Sequence, residues 1–192
     1  VDFALPKLAP SFTRNTDWIQ FKSYFYINFL SIIRSTTFKI LFLFSIIILV
    51  FDLSSNYELF GIKSYPLTYK VLEAIEGKTK LFLMVIVVFF SGELIWRDRD
   101  AKINEVVDAT AHASLIAMAA KVMSLLFTAT VFNLLLIAVG IVFQLLHGYT
   151  RIELDVYLLF LFYKNIPMFI VFSCITILIQ VLANHKYTAY FI

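Results

Sequence analysis

The residues of this chain that could do chemistry are few and lie scattered through apolar sequence. His112, His147 and His185 are far apart. None stands in the His-Glu-x-x-His spacing that puts two imidazoles and a general base on one helical face around zinc, so no metal site is expected. Cys174 is the single cysteine, which rules out an internal disulfide, and its place deep in an apolar run reads as an inert packing residue. Gly77-Lys78-Thr79 has the ending of a phosphate loop, G-x-x-x-x-G-K-[ST], but the required first glycine falls on Leu72. Without that glycine the backbone cannot wrap a phosphate. Serine, histidine and acidic residues show no nucleophile elbow. The expectation is a chain that is not an enzyme, holds no cofactor, and leaves any ATP hydrolysis to another polypeptide.

One stretch is dense in charge of both signs: residues 92–121, GELIWRDRDAKINEVVDATAHASLIAMAAK. Glu93 with Arg97, and Asp98 with Lys102, are acid-before-base pairs at i,i+4, each worth about 0.2–0.5 kcal/mol to a helix. Ile95, Ile103, Val106 and Val107 form an apolar stripe on the same helix. Two readings fit. The helix is a rigid handle for a partner, or it turns the chain at a membrane surface with Arg97, Arg99 and Lys102 against anionic lipid. Glu93, near the end of an apolar run, is either functional or paired, and pairing with Arg97 one turn on is the expected state. Farther along, Thr128, Thr130 and Asn133 interrupt a long apolar helix, with Thr130 and Asn133 on one face. Ser173, Thr176 and Gln180 make a similar line that is expected to meet it. Such groups serve helix packing or a translocation path, because isolated polar groups are costly in lipid.

What positions these residues is set by composition. Of 192 residues 61% are hydrophobic and 15% charged, with a mean hydropathy of +0.87. A soluble domain is about 45–50% apolar and about 25% charged, and could not cover this much Phe, Leu and Ile with polar surface. The low glycine and proline counts, 5 and 4, fit long helices rather than a turn-rich barrel. A net charge of +3 spread over loops does not point to nucleic acid. The fold class is therefore an all-α polytopic membrane bundle.

About 20 apolar residues cross the hydrocarbon layer. That length predicts spans at 36–53, 78–96, 119–146 and 165–184. Aromatics at Trp18, Phe21, Phe25 and Phe29 recur at helical spacing beside polar Asp17, Lys22 and Asn28. They predict an amphipathic helix over 12–35, lying in the interface or beginning the first span. Outer segments are expected at 54–77 and 147–164, the latter holding an apolar stretch that is a short surface helix or an extension of the fourth span. Lys and Arg number nine on 1–35, 97–121 and the tail, which are inside when the N-terminus is inside, against five on 54–80 and 147–155, which favours that orientation. Val1 is not an initiator, the first ten residues lack signal-peptide order, and 187–192 turns apolar again. The expectation is a fragment with at least one further span after it, 185–192 being an inner loop and the start of that span.

The order of these elements, with a span ending in Gly-Glu-Leu-Ile-Trp-Arg-Asp-Arg-Asp followed by Ile-Asn-Glu-Val-Val-Asp-Ala-Thr, resembles the permeases of type-2 ABC transporters. It is most similar to the bacterial branch in which the permease can be fused to a metallo-aminopeptidase domain. The resemblance covers about residues 12–192, and its specific part is 92–110. It implies that 97–112 is a coupling helix docking on an ATP-binding subunit through Arg97, Asp98, Arg99, Lys102, Asn104, Glu105 and Asp108. It also implies that Glu93 belongs to a polar cluster at the base of the second span, and that a second permease half pairs with this one in the bacterial cytoplasmic membrane. The branch commonly has proline where this chain has Ala111, which leaves a sharp break after the coupling helix in doubt. The alternative is a non-transporting membrane scaffold or anchor whose partner is lipid alone.

Overall fold

The computed structural model describes residues 14–59, 62–63, 65–100, 114–183 and 185–191. The chain is an all-α membrane protein. Helix α1 (Arg14–Arg34) is followed by α2 (Thr36–Tyr57). Ser35 makes the break: its Oγ donates to Ile32 O at 2.8 Å and accepts the Phe38 N–H at 3.1 Å, capping the first turn of α2. Two-residue strands β1 (Glu58–Leu59) and β2 (Ile62–Lys63) pair antiparallel. Then come α3 (Thr68–Ala74), a π-turn (Ile75–Thr79) and α4 (Lys80–Asp100). After α5 (Ser114–Leu146), the run α6 (Leu154–Leu159), second π-turn (Phe160–Asn165) and α7 (Ile166–Leu182) is followed by α8 (Lys186–Phe191).

Among the described residues three helical runs are long and apolar enough to cross a membrane: Thr36–Ser55, Leu115–Leu146 and Leu154–Leu182. Helices α3 and α4, bent by 43° at the first π-turn, add a fourth if they form one span. The outward faces are rich in exposed Phe, Leu, Ile and Val, as they must be where lipid rather than water is the solvent.

Two expectations need correction. The segment 54–77 is not all loop, because Val71, Leu72, Ala74 and Ile75 give α3 a buried helical stripe. Gly140 lets that stripe approach, since a Cβ there would collide with Val71 Cγ1. Of the two readings left open for the apolar stretch in 147–164, a surface helix or an extension of the fourth span, the structure has the extension, with 154–165 helical and running into α7. Lys164 does not end the run, because its ammonium leaves the helix to reach Glu76 at 2.5 Å. Cys174 is also exposed rather than packed inside.

The core is an aromatic knot. Phe38, Phe42 and Phe132 meet at centroid distances of 5.4–6.3 Å, with Phe90 at 6.4 Å from Phe38. Helix α1 lies along α5 and is joined to it by Phe25 and Phe29, both edge-on to Phe127 at 5.7 and 5.0 Å. The predicted stripe Trp18, Phe21, Phe25, Phe29 is a ladder of stacked rings 5.6–6.4 Å apart. Beyond the knot, Gln144 ties three elements: its amide donates to Pro66 O and its carbonyl accepts from Tyr157 Oη, both at 2.9 Å.

Candidate functional site

The charged run at the end of α4 is the hub of one end of the bundle. Successive residues of an α-helix point about 100° apart. Five polar residues in a row on a surrounded helix therefore address every neighbour in turn, and Trp96 to Asp100 do so.

Trp96 is buried, and its Nε1–H donates to Gln180 Oε1 on α7 at 2.9 Å. Arg97 reaches α1, donating to Ser31 Oγ at 2.9 Å and to Asn28 Oδ1 at 3.0 Å. Asp98 accepts from Lys121 of α5 at 2.7 Å. Arg99 lies over the Trp96 ring, 4.8 Å from its centroid, and donates to Val181 O at 3.1 Å and Ala183 O at 3.4 Å. It thereby satisfies carbonyls at the C-terminal end of α7, where the helix dipole favours a cation. Asp100 and Glu93 share Lys186 of α8, at 3.9 and 3.6 Å. On α8, Tyr190 stacks on Phe89 at 6.2 Å and lies over Gly92, where a Cβ would collide with its ring. Burial and the nearby carboxylates Glu93 and Asp100 hold the Tyr190 phenol above its ordinary range.

No family model, curated protein or solved structure matches the chain.

The geometry sorts the predicted residues. Arg97, Asp98 and Arg99 are engaged with α1, α5 and α7. Lys102, Asn104, Glu105 and Asp108 lie outside the described residues, as do Ala111 and His112. The expected Glu93–Arg97 pair is not formed, because α1 offers Arg97 two better-placed acceptors while α8 brings Lys186 to Glu93. Asp98 is paired with Lys121, and its expected partner Lys102 lies outside the described residues.

The two polar lines in the spans do not hydrogen-bond to each other among the described residues. Thr130 Oγ1 bonds back to Leu126 O at 2.9 Å, and Thr176 Oγ1 to Ser173 O at 3.1 Å. Gln180 serves Trp96. Asn133, 5% exposed, turns its amide into a crevice between α4, α5 and the second π-turn, and its Oδ1 has no partner among the described residues.

Sequence reasoning used Lys121 and Lys186 for orientation alone and missed them as site residues, along with Ser31; it read Asn28 only as part of the polar face of α1. A signal was present for Lys121. It is the only formal charge in the 33 residues of α5, and a lone charge in a span calls for a partner.

Proposed function

We propose that the chain is a permease subunit of an ATP-driven transporter in the bacterial cytoplasmic membrane, with its N-terminus inside and the segment 101–113 gripped by an ATP-binding subunit. The observation that supports this reading is the hub at the root of that segment. A force applied to residues just past Asp100 enters α4 and is passed by hydrogen bonds and ion pairs to α1, α5, α7 and α8. A loop that only turned the chain would not need its root fastened to four helices. Charge-assisted hydrogen bonds are about twice as strong as neutral ones, which suits a joint that must carry load. The excess of Lys and Arg on the hub side supports the orientation. Two such bundles facing each other would enclose a path, so a second permease half is part of the proposal.

The test is a cysteine at Asn104 or Glu105 in the full-length protein in its native membrane. Crosslinking to one ATP-binding subunit, together with ATPase activity that falls when the crosslink forms, is the expected result. Positions open to cytosolic reagents that capture only lipid would sink the coupling reading and leave the anchor reading in its place.

A further inference from the structure

Two cavities of the bundle differ in size and in lining. Sixteen residues of α4, about 24 Å at about 1.5 Å per residue, separate Lys80 from Trp96 and put the first cavity at the end opposite the hub. There Glu76 of the first π-turn holds Lys164 at 2.5 Å and Lys80 at 3.7 Å, and the crevice beside Asn133 has room for about one water. The second cavity lies on the hub side, where the end of α1, the start of α2 and α4 meet. Its volume is about 280 Å³, near the lower bound of about 300 Å³ for small-molecule sites.

The polar wall of this second cavity is Glu93 with the hydroxyl residues Ser31, Ser35 and Thr37, and Phe89 and Phe90 stand on its apolar wall. Glu93 is the one charged residue of the described lining. It lies seven residues before Asp100, about 10 Å farther into the membrane than the tip of the hub. Lys186 approaches its Oε2 at 3.6 Å, too far for a hydrogen bond, and is shared with Asp100. Two carboxylates thus divide one ammonium, and a negative charge is left over. Arg97 does not cancel it, since its guanidinium turns to α1 and to Asp98, 3.7 Å away. Glu93 Oε1 therefore keeps its lone pairs for a donor that the described residues do not supply. The hydroxyls divide the remaining work. Ser35 is used up between Ile32 O and the Phe38 N–H, and shapes the wall. Ser31 accepts from Arg97 and retains a second lone pair, and Thr37 is a further acceptor.

We infer that this cavity binds the ammonium headgroup of an aminophospholipid, of the phosphatidylethanolamine class. A primary ammonium has three N–H donors, and Glu93, Ser31 and Thr37 offer three acceptors in one cavity. The trimethylammonium of a choline lipid has no such donor. The lipid body has a place as well. Phe89 also lines an apolar groove of about 390 Å³ with Leu81, Val85 and Tyr190, so a head in the cavity leaves its acyl chain along α4. Arg34, exposed, is three residues from Ser31 and shares its face of α1, which puts a cation at the rim for the phosphate. A free amine would use Glu93 and meet only repulsion from Arg34, whereas a zwitterionic lipid uses both. The inference does not depend on the transport reading, since it needs neither an ATP-binding partner nor movement of a substrate.

The test uses the full chain, delipidated in neutral detergent and titrated with phosphatidylethanolamine or phosphatidylcholine, with bound lipid counted by native mass spectrometry. The ethanolamine lipid should bind about tenfold more tightly, as one charge-assisted hydrogen bond requires. Glu93→Gln should erase most of that ratio and Thr37→Val should cut it about threefold. A ratio between two lipids on one sample is immune to a partial loss of folded protein. Arg34→Gln should weaken both lipids alike and leave the ratio, and Glu153→Gln, on an exposed site before α6, should change neither. Lys186→Gln removes the competing ammonium and should strengthen binding of the ethanolamine lipid, a gain that misfolding cannot mimic. Dodecylamine, an amine on a chain without phosphate, should bind more weakly than the lipid. Equal binding of the two lipids, a ratio indifferent to Glu93 and Thr37, or weaker binding in Lys186→Gln would each overturn the site. Dodecylamine binding as tightly as the lipid and lost in Glu93→Gln would overturn the lipid as occupant in favour of a free amine.

Discussion

The two ends of the bundle solve the same problem in opposite ways. Each must hold charged side chains beside hydrocarbon. At the hub, Trp96, Arg97, Asp98, Arg99 and Asp100 each find a partner on another helix, and Asn28 keeps an unpaired Nδ2 as the exception among them. At the far end, one carboxylate shares two lysines, two regular helices are interrupted by π-turns, and the enclosed Asn133 carbonyl has no partner among the described residues. The lesson is that the hub is fastened by specific pairs to four helices, whereas at the far end the specific ties of Gln144 to Pro66 and Tyr157 stand beside a crevice whose buried Asn133 Oδ1 has no partner among the described residues.

The sharpest way to break the contrast is Trp96→Ala. It empties a buried indole site, strands the Gln180 carbonyl and removes the ring under Arg99. Aromatic-to-alanine changes in cores cost about 3–5 kcal/mol, and thermal unfolding in detergent followed by circular dichroism should show a loss in that range. Next comes the Asp98–Lys121 pair, whose side chains are 38% and 15% exposed. Lys121→Ala should cost about 1–2 kcal/mol, less than a fully buried pair would, because Asp98 can rehydrate. Exchanging the two residues, Asp98→Lys with Lys121→Asp, should recover much of the loss. A swap no better than the single change would show that Asp98 and Lys121 act separately rather than as a joint.

Much of this was legible in sequence, and for local reasons. The apolar runs at 36–53 and 119–146, most of the fourth span, and the weight of Trp-Arg-Asp-Arg-Asp all follow from periodicity, length and composition, which neighbouring residues carry. What stayed hidden depends on which helix faces which. The rule that pairs Glu93 with Arg97 describes a helix in solvent, where side chains on one helix have no better partner. Helix α4 is enclosed, so its charges look outward to α1, α5, α7 and α8. Helix α3 was missed because seven residues cannot announce a span. The stretch before Lys164 stayed open between a surface helix and an extension of the span because a charge usually ends an apolar run, and only the fold supplies Glu76 to receive it. The polar line Ser173, Thr176 and Gln180 was expected to meet the line on the third span, yet the partner of Gln180 is Trp96, far away in sequence, and Thr176 bonds back to Ser173 O.

A matched pair of leucine substitutions tests the comparison at its finest grain. Gln180 and Asn133 are both buried amides in spans, 1% and 5% exposed. Gln180→Leu takes an acceptor from the Trp96 N–H and leaves that donor buried and unpaired, so it should cost about 1–3 kcal/mol. Asn133→Leu removes a carbonyl that already lacks a partner, and it adds apolar surface beside Phe132 and Phe169. The enclosed polar atom is itself a standing cost, so its removal should leave stability unchanged or raise it by up to about 1 kcal/mol. Parallel thermal unfolding of the two variants decides the matter. A large loss in Asn133→Leu would mean that its amide is satisfied in the membrane and that the far end is as firmly fastened as the hub. A gain beside a loss in Gln180→Leu would locate the adjustable part of the molecule at the crevice.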